Sequence, residues 1–159
     1  METTENLRIV AHPVGVGPRA VAAFIDALLS GLVLGVPLTI ALGERHRETL
    51  TDDTGTTVSY TWSGDNKVFF LWLLLTLGYF IFFEAYVGAT VGKLILNLRV
   101  RQEDGTPIGL EAALTRNVCR LVDAFPYFLP YLAGAIAIWG DPRRRRLGDR
   151  AAGTIVTFR

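Results

Sequence analysis

The chain has 159 residues, of which 50% are hydrophobic and 19% are charged, and its net charge is +1. This length allows one domain, and a mean hydropathy of +0.34 is high for a soluble protein. The single cysteine, Cys119, excludes an internal disulfide, and the sequence carries no metal-ligand cluster or nucleophilic triad, so we expect neither an enzyme nor a bound cofactor.

Residues 1–17 form a polar lead-in, and the first predicted transmembrane helix covers residues 18–42. Pro18 suits the first turn of a helix, where its missing N–H would have no partner. Arg19 and Asp26 lie seven residues apart, about two helical turns, and therefore share one face. Because an acid inside hydrocarbon is costly, Asp26 is expected to face a protein neighbour.

A polar outer loop, residues 43–67, separates this helix from the second predicted span. The loop contains a turn signal followed by the alternating residues Val58, Tyr60 and Trp62, which predicts a small hairpin. Tyrosine and tryptophan are common at the membrane–water interface. The loop is therefore expected to lie at the outer membrane surface.

The second predicted span, residues 68–87, carries one acid near its cytoplasmic end. Residues 68–83 contain no charge, and the whole segment of 20 residues measures about 30 Å as a helix, enough to cross a bilayer. Glu84 lies about one turn from the end of this span. Its side chain either extends to water or meets Arg19, which enters the membrane at the same depth.

Residues 88–117 are predicted to form a cytoplasmic loop that contains a strand. The segment from Gly88 to Lys93 resembles a phosphate loop, but it is one residue short of that motif and Leu94 replaces its Ser or Thr, so we reject a nucleotide site. Residues 94–101 alternate between apolar and polar side chains, which predicts a half-buried strand.

The third hydrophobic segment, residues 118–140, is interrupted by Pro126 and Pro130. A basic tail, residues 141–159, follows it and ends in a predicted strand over residues 153–159. Four consecutive arginines in this tail are expected to bind anionic lipid headgroups, and no nucleic-acid binding is expected. These are Arg143, Arg144, Arg145 and Arg146.

The positive-inside rule separates two paths for the third segment. If the segment crosses, 9 Lys and Arg residues lie outside and 7 inside; if it enters the membrane and returns, 3 lie outside and 13 inside. The second path also explains the two prolines as the break of a re-entrant hairpin. The predicted fold is an α-helical integral membrane protein with two full transmembrane helices and a Pro-broken third segment, re-entrant or a third span. The re-entrant form places both termini in the cytoplasm, with a small β element from strands 94–101 and 153–159.

A second arginine and aspartate, Arg116 and Asp123, repeat the seven-residue spacing of Arg19 and Asp26. Repeats of this kind occur in transporters around a site near the membrane midplane. If the two segments face each other, each arginine is able to pair with the aspartate of the other. The candidate intramembrane charged network is Arg19, Asp26, Glu84, Arg116 and Asp123.

In these residues the chain resembles the RDD family of small bacterial membrane proteins, which is named for one arginine and two aspartates. Arg19 and Asp26 fit the arginine and aspartate of the family's first helix, and Arg116-Asn117 fits a later helix arginine. A T-x-G-K block with a following L-x-V and D-G is matched by Thr90, Gly92 and Lys93, Leu98-Arg99-Val100 and Asp104-Gly105. The closing segment of the family is matched by Leu147-Gly148-Asp149, Gly153 and Thr154.

The resemblance implies that Asp149 is the second aspartate of the family, with Asp123 as the alternative. Two positions depart from the family pattern: Ala89 stands where Gln is common, and Gly148 where His is common. The resemblance further implies a multi-pass protein of the bacterial cell (inner) membrane. The activity of the family is unsettled, and ion transport or exchange is suggested for some members.

Two functions are compatible with these features. The first is transport of a small cation, or proton-coupled transport, through the Arg/Asp network of a homo-oligomer, since a buried acid near an arginine can exchange a proton for a cation. The alternative is a structural or assembly subunit, in which the Arg19–Asp26 pair only fixes helix packing and the cytoplasmic part docks a protein partner. In both, the bilayer and its anionic headgroups are partners.

Overall fold

The computed structural model describes residues 13–63, 65–120 and 132–159. These residues are mostly helical, with two small antiparallel sheets. They divide into two compact units. One unit comprises the chain up to Asp26 together with Tyr79–Arg159, and the other comprises Ala27–Gly78.

Two helices are long and apolar enough to cross a membrane. The first runs from Val16 to Leu42 and consists of α1 (Val16–Ser30), a π-helical turn (Gly31–Gly35) and α2 (Val36–Leu42). The second is α3 (Asn66–Val87), whose 22 residues extend about 33 Å. Only 17% and 22% of their most apolar windows are buried, whereas a core helix of a soluble protein is mostly buried. Both helices agree with the predicted spans.

The unit Ala27–Gly78 contains the predicted hairpin. Strands β1 (Arg45–Thr51) and β2 (Thr57–Ser63) pair antiparallel. The turn between them is stabilised by Asp52, whose carboxylate accepts hydrogen bonds from the Thr54 and Thr56 amides at 2.9 and 2.8 Å. The prediction of a hairpin in the loop is therefore confirmed.

Among its described residues, the other unit carries six short helices and strands after α3, three before and three after residues 121–131. They are α4 (Val91–Ile95), β3 (Leu98–Gln102), α5 (Leu110–Val118), α6 (Leu132–Trp139), α7 (Leu147–Ala151) and β4 (Thr154–Phe158). Strand β3 pairs antiparallel with β4, with Leu98 opposite Phe158. The predicted pairing of these two strands is confirmed.

The predicted start of the first of these strands, at residue 94, is wrong. Leu94 belongs to α4, because the Thr90 hydroxyl caps that helix by accepting from the Lys93 amide at 3.4 Å. Asn97 then turns the chain with a φ of 54° before β3 begins. A single helical turn followed by a tight bend gives the same alternation of apolar residues as a longer strand.

The apolar core of this unit is small. It lies between α1, β3, β4 and α5, and its buried members are Val14, Ala22, Leu98, Val100, Ile108, Ala113 and Val156. Residues 121–131 of the third hydrophobic segment, which include Asp123, Pro126 and Pro130, lie outside the described residues. Whether that segment crosses the membrane or re-enters it stays a prediction.

Candidate functional site

The carboxylate of Asp26 is 1% exposed and is held by three neutral donors. The Tyr79 hydroxyl donates to Oδ1 at 2.8 Å, and the Thr90 hydroxyl donates to Oδ2 at 2.6 Å. The backbone N–H of Gly92, in the first turn of α4, donates to Oδ1 at 2.8 Å. Two hydroxyl groups and one backbone amide therefore bind this carboxylate, in place of the arginine that the sequence pattern suggested.

Gly92 allows the backbone of α4 to approach α1 this closely. A Cβ atom at this position would lie 2.2 Å from the carbonyl oxygen of Ala22 and 3.0 Å from Cγ of Asp26. Both contacts are shorter than a side chain tolerates. The glycine that resembles part of a phosphate loop therefore serves helix packing and an internal carboxylate.

Arg19 is paired with Asp149 rather than with Asp26. Its guanidinium donates to Asp149 Oδ2 at 2.5 Å and to the carbonyl oxygens of Val14 and Arg144 at 3.0 and 2.8 Å. The predicted Arg19–Asp26 pair is thus wrong. Side chains on a helix tilt toward its N-terminus, so Arg19 extends away from an aspartate two turns further along.

Glu84, Arg116 and Asp149 form the centre of a buried network, and all three are 0% exposed. Arg116 Nε donates to Glu84 Oε2 at 3.0 Å, and Arg116 Nη1 donates to Asp149 Oδ1 at 2.6 Å. Lys93 Nζ pairs with the other oxygen of Glu84, and Asn117 donates to Glu84 at 3.1 Å. Glu84 therefore neither extends to water nor meets Arg19, and both predicted positions of its side chain are wrong.

Two elements of the tail close this network. Asp149 lies in the first turn of α7, where it also accepts from the backbone N–H of Arg146 at 3.2 Å. Thr154, the first residue of β4, accepts a hydrogen bond from Arg116. Three guanidinium groups meet at Asp149, from Arg19, Arg116 and Arg146, so this carboxylate links the start of α1 and α5 to the tail.

The family assignment follows a match over most of the chain. The model of the RDD family matches residues 13–153. The chain belongs to the RDD family. Searches of curated proteins and of solved structures gave no significant match. Family membership together with two apolar helices points to a membrane protein.

The RDD motif residues gather around the buried network. Thr90 and Gly92 bind Asp26, Lys93 binds Glu84, and Thr154 binds Arg116. Gly153 contributes a turn between α7 and β4 with a φ of 60°. The motif is therefore explained by contacts within this unit.

The two departures from the RDD pattern are at buried positions. Ala89 is fully buried beside Thr90. At Gly148, a Cβ atom would lie 2.8 Å from the carbonyl oxygen of Arg116, so α7 packs too closely on α5 for a histidine without movement of the backbone. In this chain, α7 packs closely on α5 at the position where that side chain would lie.

The ionisation of this RDD network depends on its surplus of cations. Burial opposes the charge of Asp149, but the guanidiniums of Arg116, Arg146 and Arg19 outweigh it and hold the pKa of that carboxyl below its ordinary value. Burial, with a smaller contribution from nearby arginines, lowers the pKa of Lys93 to about 7. The negative charge of Glu84 opposes this shift and raises the pKa.

The stability of the RDD protein is expected to rise with pH above about 7 because of Lys93. The pKa of Lys93 is about 7 in the folded chain and 10.5 in the unfolded chain. Between these values the unfolded state binds the extra proton, so the free energy of unfolding rises, by up to about 1.4 kcal/mol per pH unit. Below pH 7 both states are protonated and the contribution is constant.

The measurement is thermal or denaturant unfolding in detergent from pH 6 to pH 9.5, with Lys93→Met as the comparison. Methionine has a similar volume and no titrating proton, so the rise should be smaller in the variant. Parallel pH profiles of the wild type and Lys93→Met would show that Lys93 keeps an ordinary pKa.

The four arginines predicted to bind lipid headgroups have different environments. Arg146 is buried, and its Nε lies 3.4 Å from Asp149 Oδ1, so the headgroup prediction is wrong for this residue. Arg145 pairs with Asp141 at 2.8 Å, and the 62% exposed side chain of Arg143 pairs with Glu103 at 2.6 Å. Arg144 has a φ of 51° and offers its carbonyl oxygen to Arg19. Lipid binding by Arg143, Arg144 and Arg145 stays a prediction.

Three contacts of the RDD network were not predicted from the sequence. The Tyr79 hydroxyl binds Asp26, Asn117 binds Glu84, and the Arg120 guanidinium lies 3.8 Å from the centroid of the Phe80 ring. Asn117 follows Arg116 directly in a family motif, which is a signal for a role. Tyr79 gives no signal, because an aromatic residue in an apolar span is expected to face lipid.

Proposed function

We propose that this RDD protein is a structural or assembly subunit of a bacterial inner membrane, in which the buried charged network fixes the packing of the helices and the cytoplasmic part docks a protein partner. The observation that carries this proposal is the saturation of the buried acids. Glu84 and Asp149 each bind two or more cationic groups. These cationic groups come from α1, α4 and α5, and the acids from α3 and α7, so the network joins five elements of the fold.

The environment of Asp26 supports the same role. Both of its oxygens accept hydrogen bonds, from Tyr79, Thr90 and Gly92. These donors use three of the about four acceptor sites of the carboxylate, so a cation that needs several oxygen ligands would displace donors that then lose their partners. An arrangement of this kind favours a structural role for Asp26 over ion exchange.

The contacts of the tail also support a topology with both termini in the cytoplasm. Strand β4 pairs with β3, and Arg19 at the start of α1 pairs with Asp149. These contacts favour one membrane side for residues 98–102, the tail and the start of the first span, and therefore a re-entrant third segment. Labelling of a tail cysteine by an impermeant reagent in intact cells would contradict this topology.

Proton-coupled or small-cation transport is the second candidate, and the Lys93–Glu84 pair favours it. A buried lysine whose pKa is about 7 can gain and lose a proton under physiological conditions. In this candidate, a homo-oligomer builds the pathway, because two or three spans hardly enclose one.

Ion flux in proteoliposomes, measured for the wild type, Asp26→Asn and Lys93→Met, separates the two candidates. The assembly proposal expects no flux above empty liposomes. It also expects Asp26→Asn to lower stability by about 2 kcal/mol, because an amide N–H₂ replaces an acceptor of buried donors. The exposed Asp53→Asn should have no effect. Cation or proton flux in the wild type that Lys93→Met abolishes, while folding persists, would favour transport.

A further inference from the structure

Helix α5 has an inverted distribution of polarity. Its exposed residues Leu110, Leu114 and Val118 lie four residues apart and are 57%, 49% and 50% exposed. Its buried residues include Arg116, which is 0% exposed, and Asn117. A surface helix of a soluble protein has the opposite pattern, with apolar residues toward the core and charged residues toward water.

Single exposed apolar residues are common on protein surfaces and need no explanation. The three residues of α5 differ because their spacing of four places them in one continuous stripe along the helix. The buried Arg116 of the same helix faces the protein, where it binds Glu84 and Asp149, and the exposed charge of the helix is Glu111 in its first turn. Apolar residues outside and charged residues inside are the pattern of a helix surrounded by lipid.

The position of α5 along α3 independently indicates that α5 lies at the depth of the membrane. Arg116 and Asn117 both donate to Glu84, which precedes the end of α3 at Val87 by three residues, about 4.5 Å. Because α3 extends about 33 Å and the hydrocarbon of a bilayer is about 30 Å thick, nearly the full length of α3 is needed to cross. A group in contact with Glu84 therefore lies at the edge of the hydrocarbon.

Helix α4 shows that the chain returns toward the membrane after α3. The amide of Gly92 contacts Asp26, which lies ten residues, about 15 Å, after the start of α1. Ile95, at the end of α4, is 59% exposed. The segment that follows the second span thus packs beside the spans.

We propose that α5 lies in the cytoplasmic leaflet of the bilayer, with the stripe of Leu110, Leu114 and Val118 in contact with lipid acyl chains. The segment of residues 88–117, expected from its sequence to be a cytoplasmic loop, then contributes a third membrane-embedded helix surface. The occupant of the stripe is lipid, because the polar side of α5 is directed to the protein and its depth matches the last turn of α3. The choice of leaflet rests on the proposed topology, and the contact of the stripe with lipid is independent of the assembly proposal.

The test places one environment-sensitive fluorophore on single cysteines in a Cys119→Ser background, in proteoliposomes. The labelled variants are Leu110→Cys, Leu114→Cys and Val118→Cys, and the matched control is Arg101→Cys on the exposed, polar side of β3. Each of the three α5 positions is exposed, so labelling does not require unfolding. If one variant does not fold, the other two carry the test.

The labels on α5 are expected to lose most of their fluorescence in lipids with brominated acyl chains and to resist aqueous iodide. The label at Arg101→Cys is expected to show the reverse. Quenching of the α5 labels by iodide would place the stripe in water and overturn the proposal. Resistance to both quenchers, together with cross-linking between copies at Leu114→Cys, would show a second copy on the stripe and would equally overturn it.

Discussion

Replacement of Arg116 by methionine is expected to destabilise the protein by about 3–5 kcal/mol, a large part of the roughly 5–15 kcal/mol by which a typical domain is stable. Arg116 is 0% exposed and joins the carboxylates of Glu84 and Asp149. Methionine fills a similar volume but leaves two buried acids with fewer cationic partners. The measurement is the free energy of unfolding in detergent micelles, or the recovery of folded protein by size-exclusion chromatography.

Arg143→Met is the matched control, because that side chain is 62% exposed and pairs with a partly exposed glutamate. A surface pair of this kind contributes at most about 1 kcal/mol. Arg116→Lys should fall between the two, since it keeps the charge but loses the planar guanidinium that binds two acids at once. Equal stability of Arg116→Met and Arg143→Met would contradict the central position of Arg116.

Replacement of Gly92 by alanine is expected to cost more than about 3 kcal/mol, which is large for a single methyl group. The new Cβ atom would lie 2.2 Å from the carbonyl oxygen of Ala22, and backbone on both sides leaves no flexible group to move. Separation of α4 from α1 would also break the hydrogen bond from the residue 92 amide to Asp26. Thermal unfolding of the purified variant measures the effect.

Gly78→Ala is the control for this substitution. Gly78 lies inside α3, and nothing stands within 4 Å of the position of its Cβ. Alanine favours a helix over glycine by about 1 kcal/mol, so this variant should be as stable as the wild type or more stable. A Gly92→Ala protein with wild-type stability would mean that α4 does not pack on α1 at this distance.

The fold could be predicted from the sequence where a long pattern determined it. The charge-free run of the second helix, the hairpin of the loop and the pairing of β3 with β4 depend on composition and alternation over many residues. The boundary between α4 and β3 could not be predicted, because it depends on one cap at Thr90 and one turn at Asn97. A feature that depends on one residue gives little signal in the sequence, although it sets where a helix or strand ends in the structure.

Four residues of the predicted charged network, Arg19, Asp26, Glu84 and Arg116, bind buried groups. Asp149, which the family resemblance indicated, binds two of them, and Asp123 lies outside the described residues. Their pairing was wrong because helical spacing places two residues on one face but does not fix where a long side chain extends. Arg19 binds a residue 130 positions away, and that distance depends on the tertiary fold.

The ion pair between Arg19 and Asp149 also has a consequence for biosynthesis. At a synthesis rate of about 5–20 residues per second, roughly 7–26 s pass between the appearance of Arg19 and that of Asp149. During this interval the first span enters the membrane with an unneutralised guanidinium at its start, and Glu84 and Arg116 follow before their common network can close. The nascent protein therefore depends on α7 to complete the network, and a chain that terminates before α7 would leave Arg19 without its carboxylate partner and Arg116 with Glu84 alone.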